Sequence, residues 1–103
     1  MKRKQLPETD YRASRICRVL GNPTAYQIMK MLIKSPKKPT DLSVEIGLSL
    51  KTISDTLRNL RQVDIVRYDT KHRNKIYFIK DQLILKIIKS LETYVRRMRI
   101  KKR

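Results

Sequence analysis

Thr40-Asp41-Leu42-Ser43-Val44-Glu45-Ile46-Gly47-Leu48-Ser49-Leu50-Lys51-Thr52-Ile53-Ser54-Asp55-Thr56-Leu57-Arg58-Asn59-Leu60-Arg61-Gln62 is the stretch whose reading decides the fold. Thr40 is a candidate N-cap for a short helix whose apolar face carries Leu42 and Ile46. Gly47 ends that helix, because glycine enters the left-handed region without a Cβ penalty. Ser49 is a second N-cap candidate, and behind it Ile53, Leu57 and Leu60 recur at helical spacing. Two short helices joined by a tight glycine turn, the second one amphipathic, have the layout of a helix-turn-helix.

Upstream, Met1–Pro7 with Lys2, Arg3 and Lys4 reads as a loose basic arm, residues 1–7. A first helix is expected from Glu8 to Leu20, with Ala13, Ile16, Cys17 and Leu20 on one face and Gly21 as its stop. Asn22-Pro23 is a cap followed by a first-turn proline, so a second helix should run from Pro23 to about Lys34. Its face of Ala25, Ile28, Met29 and Leu32 is wide enough to sit centrally in a small core. Ser35-Pro36-Lys37-Lys38-Pro39 is then a loop.

Downstream, the period changes. Ile65, Val66 and Tyr68 precede the polar run Asp69–Asn74, and Ile76–Ile79 follow it, which reads as a hairpin. Asp69 and Asn74 are the residues there that tolerate turn conformations. From Asp81 the pattern is helical again. Ile84, Ile88, Leu91, Val95 and Met98 follow alternating four- and three-residue steps, widened by Ile87 and Tyr94, like the seam of a short coiled coil. The expected order is α-α-α-α-β-β-α, mainly α with a small β-hairpin. Residues 8–80 form one domain and 81–103 a terminal helix with a basic tail.

Composition narrows the function. With 26 Lys and Arg against 9 Asp and Glu in 103 residues, the formal net charge is +17, and self-repulsion at that level points to a polyanionic partner. A merely solubilising surplus would not need so one-sided a balance. Cys17 is the only cysteine, so no intramolecular disulfide forms and a cytoplasmic, nucleoid-associated setting is expected. A buried small hydrophobe is the expectation for Cys17, with pairing to its twin in a symmetric dimer the alternative. Every long apolar run is interrupted by Lys or Arg, which argues against a membrane partner. One His, one Cys and no Gly-rich phosphate loop leave nothing from which to assemble a catalytic site, so no enzyme and no cofactor are expected.

With these residues in hand, the chain resembles the ArsR-like winged helix-turn-helix transcription regulators from about Arg15 to Ile79. The match is strongest from Asp41 to Leu60, where Gly47-Leu48-Ser49 leads into Thr52-Ile53-Ser54 and Leu57-Arg58-Asn59-Leu60. The resemblance extends to Leu20-Gly21-Asn22-Pro23-Thr24-Ala25-Tyr26-Gln27-Ile28. It implies that the hairpin is a wing and that the protein is a DNA-binding regulator. Three departures stand out. Thr56 occupies the place of a common His, Asp55 that of a basic or polar residue, and Asp64 that of a usual Gly. The cysteine pair of the family's metal sensors is missing and His72 stands alone, so no metal is expected.

On a 3.6-residue period, Ile53, Leu57 and Leu60 inward put Lys51, Asp55, Arg58 and Gln62 outward, with Thr52 and Asn59 beside them. The N-terminal half of a recognition helix enters the groove most deeply, which makes Lys51, Thr52, Asp55 and Thr56 the base-reading candidates, with Ser54 in the same row. Arg58, Asn59 and Arg61 are placed to grip the backbone. Ser49 and Thr40, at helix N-termini, can offer backbone N–H groups to phosphate. Lys71, His72, Arg73 and Lys75 of the wing face the backbone or minor groove. Ile16 and Leu20, with Ile84, Ile87, Ile88, Leu91, Tyr94, Val95 and Met98, form the expected homodimer interface. The terminal helix is expected to pack on the first helix of its own chain as well. The leading expectation is thus a homodimeric, sequence-specific repressor. The alternatives are an architectural DNA-binding protein of low specificity and a winged helix used for protein contacts.

Overall fold

A computed structural model describes residues 4–101. Lys2 and Arg3 of the arm and Lys102 and Arg103 of the tail lie outside the described residues, as do the side chains of Arg99, Ile100 and Lys101. The elements are α1 (Glu8–Leu20), α2 (Pro23–Leu32), α3 (Pro39–Ile46), α4 (Leu50–Gln62), β1 (Val66–Lys71), β2 (Asn74–Ile79) and α5 (Leu83–Lys101). This is the expected α-α-α-α-β-β-α order.

Local chemistry sets most boundaries. Gly21 stays right-handed (φ −71°, ψ −11°), so its conformational freedom is not what ends α1. Asn22-Pro23 ends it. Asn22 is extended, as a residue before proline prefers, and its side chain accepts from the Ala25 N–H at 3.1 Å. α3 begins on Pro39 behind an extended Lys38 that makes no side-chain cap. Thr40 is therefore not the cap of α3 but an exposed residue of its first turn, since proline at the first helical position already supplies the required φ. Gly47 ends α3 left-handed, at φ 83°. The Ser43 hydroxyl ties the turn by donating to the Leu48 carbonyl at 2.6 Å. Ser49 then caps α4 as expected, accepting from the Thr52 N–H at 3.1 Å.

α2 lies at the centre. Its Ala25, Ile28, Met29 and Leu32 are buried against Leu42 of α3, Ile53, Leu57 and Leu60 of α4, and Ile65, Val66, Tyr77 and Ile79 around the hairpin. Ile84 and Ile88 of α5 join this core. They were expected at the dimer seam; within the chain they are covered by its own core instead. α5 is fastened to α2 rather than to α1: Glu92 accepts from the Tyr26 hydroxyl at 2.6 Å and from Lys30 Nζ at 2.8 Å. Cys17 is exposed rather than buried, and no residue of α1 is fully buried.

The hairpin pairs β1 and β2 antiparallel from Val66↔Ile79 to Lys71↔Asn74. Asp69 and Asn74 sit inside the ladder, and the loop is the pair His72-Arg73, both left-handed (φ 49° and 70°). A two-residue loop of this handedness matches the twist of the strands it joins. Asp64 also takes φ 64°, so it replaces the glycine of the resembling family without loss of geometry. Lys37 exchanges two backbone hydrogen bonds with Tyr77, at 2.8 and 3.0 Å, so the Pro-rich loop adds a short third rung to the wing.

The clamp between α2 and α5 is pH-sensitive at both ends. Hydrogen bonding from Lys30 and then Tyr26 holds the Glu92 carboxyl below its ordinary range. Burial and the bond to Glu92 push the Tyr26 phenol up to about 12. The depressed acid stabilises the fold above the usual carboxylate range and loses that contribution as pH falls through it. The raised phenol stabilises it below pH 10 and loses that contribution as pH rises toward about 12. Glu92→Gln should lower the melting temperature modestly near neutral pH and flatten its dependence in both limbs, measured by circular dichroism across pH.

Candidate nucleic-acid interface

The outer face of α4 carries Lys51, Thr52, Arg58, Asn59, Arg61 and Gln62 exposed, with Ser54 and Asp55 half-buried. Asp55 is not an isolated anion. Its carboxylate takes Lys51 Nζ at 3.0 Å on one oxygen and Arg58 Nη1 at 3.3 Å on the other. The Lys51 hydrogen bond, with the Arg58 charge adding to it, keeps this carboxyl below its ordinary range. The centre of the face is thus a triad in which one carboxylate is shared by two cations, one oxygen held by each, and only part of their charge is offset.

Thr56 does not belong to that face. It is only 9% exposed, and its hydroxyl donates to the Thr52 carbonyl at 2.8 Å, inside the helix. Adding its 100° step to the Ile53–Leu57–Leu60 arc brings it to the edge of the core, so it leaves the base-reading set. Asn59 and Gln62 lie on the flank toward α1. There they line an open cleft of about 470 Å³ with Tyr11, Arg15 and Arg18.

On the wing, Lys71, His72, Arg73 and Lys75 are all exposed around the tip. At its root, Asp64 pairs with Arg67 at 3.4 Å and with Lys80. Tyr68 lies between α4 and the strands, with Arg61 Cζ 5.5 Å and Lys75 Nζ 4.8 Å from its ring centre. Sequence patterning does not reveal this aromatic contact. Its only trace in the sequence is that Tyr68 and Lys75 fall on one strand face, and that follows only once the register is known.

Of the residues expected at a dimer interface, Ile87, Leu91, Tyr94, Val95 and Met98 are exposed on α5, and Ile16 and Leu20 are half-buried on α1. Leu20, Leu91 and Val95 line one open groove together with Pro23 and Tyr26. Among the described residues no group of three or more His, Cys, Asp or Glu side chains is placed to hold a metal ion, and no helix is long and apolar enough to cross a membrane.

A glycine-turned helix pair, an amphipathic capped second helix, a two-stranded hairpin behind it and a closing helix define a winged helix-turn-helix protein. The sequence profile of bacterial regulatory proteins of the arsR family matches residues 22–68, from the cap of α2 to the middle of β1. Over those residues the chain is similar to the ArsR-family regulators, in keeping with its winged helix-turn-helix fold. Among curated proteins, no sequence matches it closely enough to count as a relative.

Solved structures share the fold at low identity. HlyU from Vibrio cholerae superposes with a TM-score of 0.77 at 20% identity, over 86% of this chain and 97% of that one. A homodimeric winged helix-turn-helix DNA-binding domain from Mycobacterium bovis, described as a possible ArsR-family transcriptional regulator, gives 0.79 at 17% identity over 100% and 96%. The transcriptional repressor BigR from Xylella fastidiosa gives 0.73 at 20% identity over 84% and 92%.

Proposed function

We propose that the protein is a homodimeric, sequence-specific repressor that reads duplex DNA with α4 in the major groove and the wing tip on the backbone or minor groove. The observation that carries this is the outer face of α4, capped by Ser49, with Lys51, Thr52, Arg58, Asn59, Arg61 and Gln62 all exposed. Lys51, Thr52, Ser54 and Asp55 occupy the N-terminal half that would enter the groove. Arg58 and Asn59 lie further along, and Ser49 and Thr40 offer first-turn N–H groups to phosphate. Lys71, His72, Arg73 and Lys75 supply the wing contacts. Leu20, Ile87, Leu91, Tyr94, Val95 and Met98, with Ile16 at the margin, form the dimer face. The homodimeric Mycobacterium bovis domain and the repressor from Xylella fastidiosa support the dimer and the sign of regulation.

Selection of bound duplexes from a random pool at physiological salt tests the reading. Enrichment of a pseudo-palindrome with half-sites about one helical turn apart is expected. An unenriched pool would sink it in favour of an architectural protein of low specificity. The observation favouring that second reading is the Asp55 triad, which ties up both cations at the centre of the face.

The same triad separates discrimination from affinity. Asp55→Ala would free Lys51 and Arg58, raising affinity for random duplex several-fold and changing which half-site is enriched. Arg73→Ala would leave the preferred sequence intact and reduce the slope of log affinity against log salt by about one for each subunit bound. The reverse pattern in a binding titration would refute this division of labour.

A further inference from the structure

The cations around α4 and the wing fall into two groups. Lys51 and Arg58 are committed to Asp55, and Arg67 and Lys80 to Asp64. Arg61 and Lys75 have no ion-pair partner among the described residues, although both are held in place. Both sit over the ring of Tyr68, Arg61 Cζ at 5.5 Å and Lys75 Nζ at 4.8 Å from its centre. The ring is itself fixed. It packs on its cross-strand partner Tyr77 with centroids 5.2 Å apart and planes tilted by 47°, and Tyr77 is buried.

The two ways of holding a cation differ in what they leave behind. A carboxylate accepts the donor N–H groups and cancels the charge, so a phosphate must displace it. An aromatic face attracts the cation through its quadrupole but neutralises nothing, and the donors remain available to an incoming anion. Arg61 comes from the last turn of α4 and Lys75 from β2, next to the His72-Arg73 loop. Both cations are thus gathered around one half-buried ring, with their charges still available to an anion.

We propose that Arg61 and Lys75 form one seat for a backbone phosphate of duplex DNA at the junction of α4 and the wing, and that Tyr68 is the residue that positions both. The proposal rests on the DNA-binding reading above. The seat joins the C-terminal end of α4 to the wing, so it would fix how the two approach the duplex together. Ordering two long side chains before DNA arrives removes part of the entropy that binding would otherwise lose.

Fluorescence anisotropy on a mixed-sequence duplex across a salt series tests this, with full-length wild type, Arg61→Ala, Lys75→Ala, Tyr68→Phe and Tyr68→Leu. Lys89→Ala, an exposed lysine on α5, controls for bulk charge. Each of Arg61→Ala and Lys75→Ala should shallow the log–log salt slope by about one, and Lys89→Ala by much less. Tyr68→Leu should weaken binding about threefold to tenfold with both cations still present, and Tyr68→Phe, which keeps the aromatic face, should bind like wild type. Wild-type behaviour of Tyr68→Leu, or Tyr68→Phe as damaged as Tyr68→Leu, overturns the positioning role. If Tyr68→Leu fails to fold, the two exposed alanine variants decide alone, and unchanged slopes overturn the seat. A wild-type protein that binds no duplex overturns the regulator reading and the seat together. Duplex binding that is indifferent to Arg61 and Lys75 removes only the seat.

Discussion

Leu91→Glu combined with Val95→Glu should convert the protein into a folded monomer and weaken binding to a two-half-site duplex by on the order of a thousandfold. The expectation follows from what α5 leaves uncovered. Ile87, Leu91, Tyr94, Val95 and Met98 are between 43 and 63% exposed, an apolar stripe longer than a soluble single chain ordinarily presents to water. Glutamate is a good helix former, and Leu91 and Val95 are half in solvent within the chain, so the substitution leaves the core of Ile84 and Ile88 intact. In a dimer the same carboxylates would be buried without partners, which the interface cannot tolerate.

The magnitude comes from linkage between the two half-sites. Once one recognition helix is docked, the second meets its half-site at an effective concentration set by the dimer rather than by bulk protein. Sedimentation should report the loss of dimer and circular dichroism an unchanged helix content. Ser90→Glu with Thr93→Glu, the same charge change on exposed polar positions of α5, should remain dimeric and bind nearly as well. Equal damage from both pairs would locate the effect in charge and refute the interface.

Periodicity and capping make much of this architecture legible in the sequence. The Asn22-Pro23 pair, the left-handed Gly47 and the Ser49 cap each encode a boundary in one or two residues, and α2 begins, α3 ends and α4 begins where those signals place them. What failed depends on neighbours distant in sequence. A 3.6-residue period says that Ile84 and Ile88 share a stripe with Leu91 and Val95. It does not say that α2 and the rest of the core cover only the first two. It placed Thr56 near the outer row because the width of the core arc depends on what packs against α4. The hairpin tip falls inside the polar run Asp69–Asn74, but register, and not composition, narrows it to the left-handed pair His72 and Arg73. The Tyr68 contacts were invisible for the same reason.

Raising salt from about 50 to about 200 mM should cost wild-type affinity for duplex DNA on the order of a thousandfold or more, read as a linear fall of log affinity with log salt. Each phosphate neutralised contributes about 0.9 to that slope, so six or more contacts per complex make it steep. A net charge of +17 permits that many, yet the structure restricts where they arise. Two carboxylates hold four of the cations around α4 and the wing root, Asp55 taking Lys51 and Arg58 while Asp64 takes Arg67 and Lys80. The salt-sensitive contacts should therefore come from Arg61, Lys71, Arg73 and Lys75, which neither carboxylate holds, together with the basic arm and tail. Lys51 and Arg58 must leave Asp55, or carry it with them, to meet a base, and that exchange costs little charge but depends on which base is offered. Specific and mixed-sequence duplexes should accordingly show nearly parallel salt slopes, offset by a constant factor. A specific complex with a much steeper slope than the non-specific one would mean that Lys51 and Arg58 leave Asp55 for phosphates, and the separation of affinity from discrimination would fall.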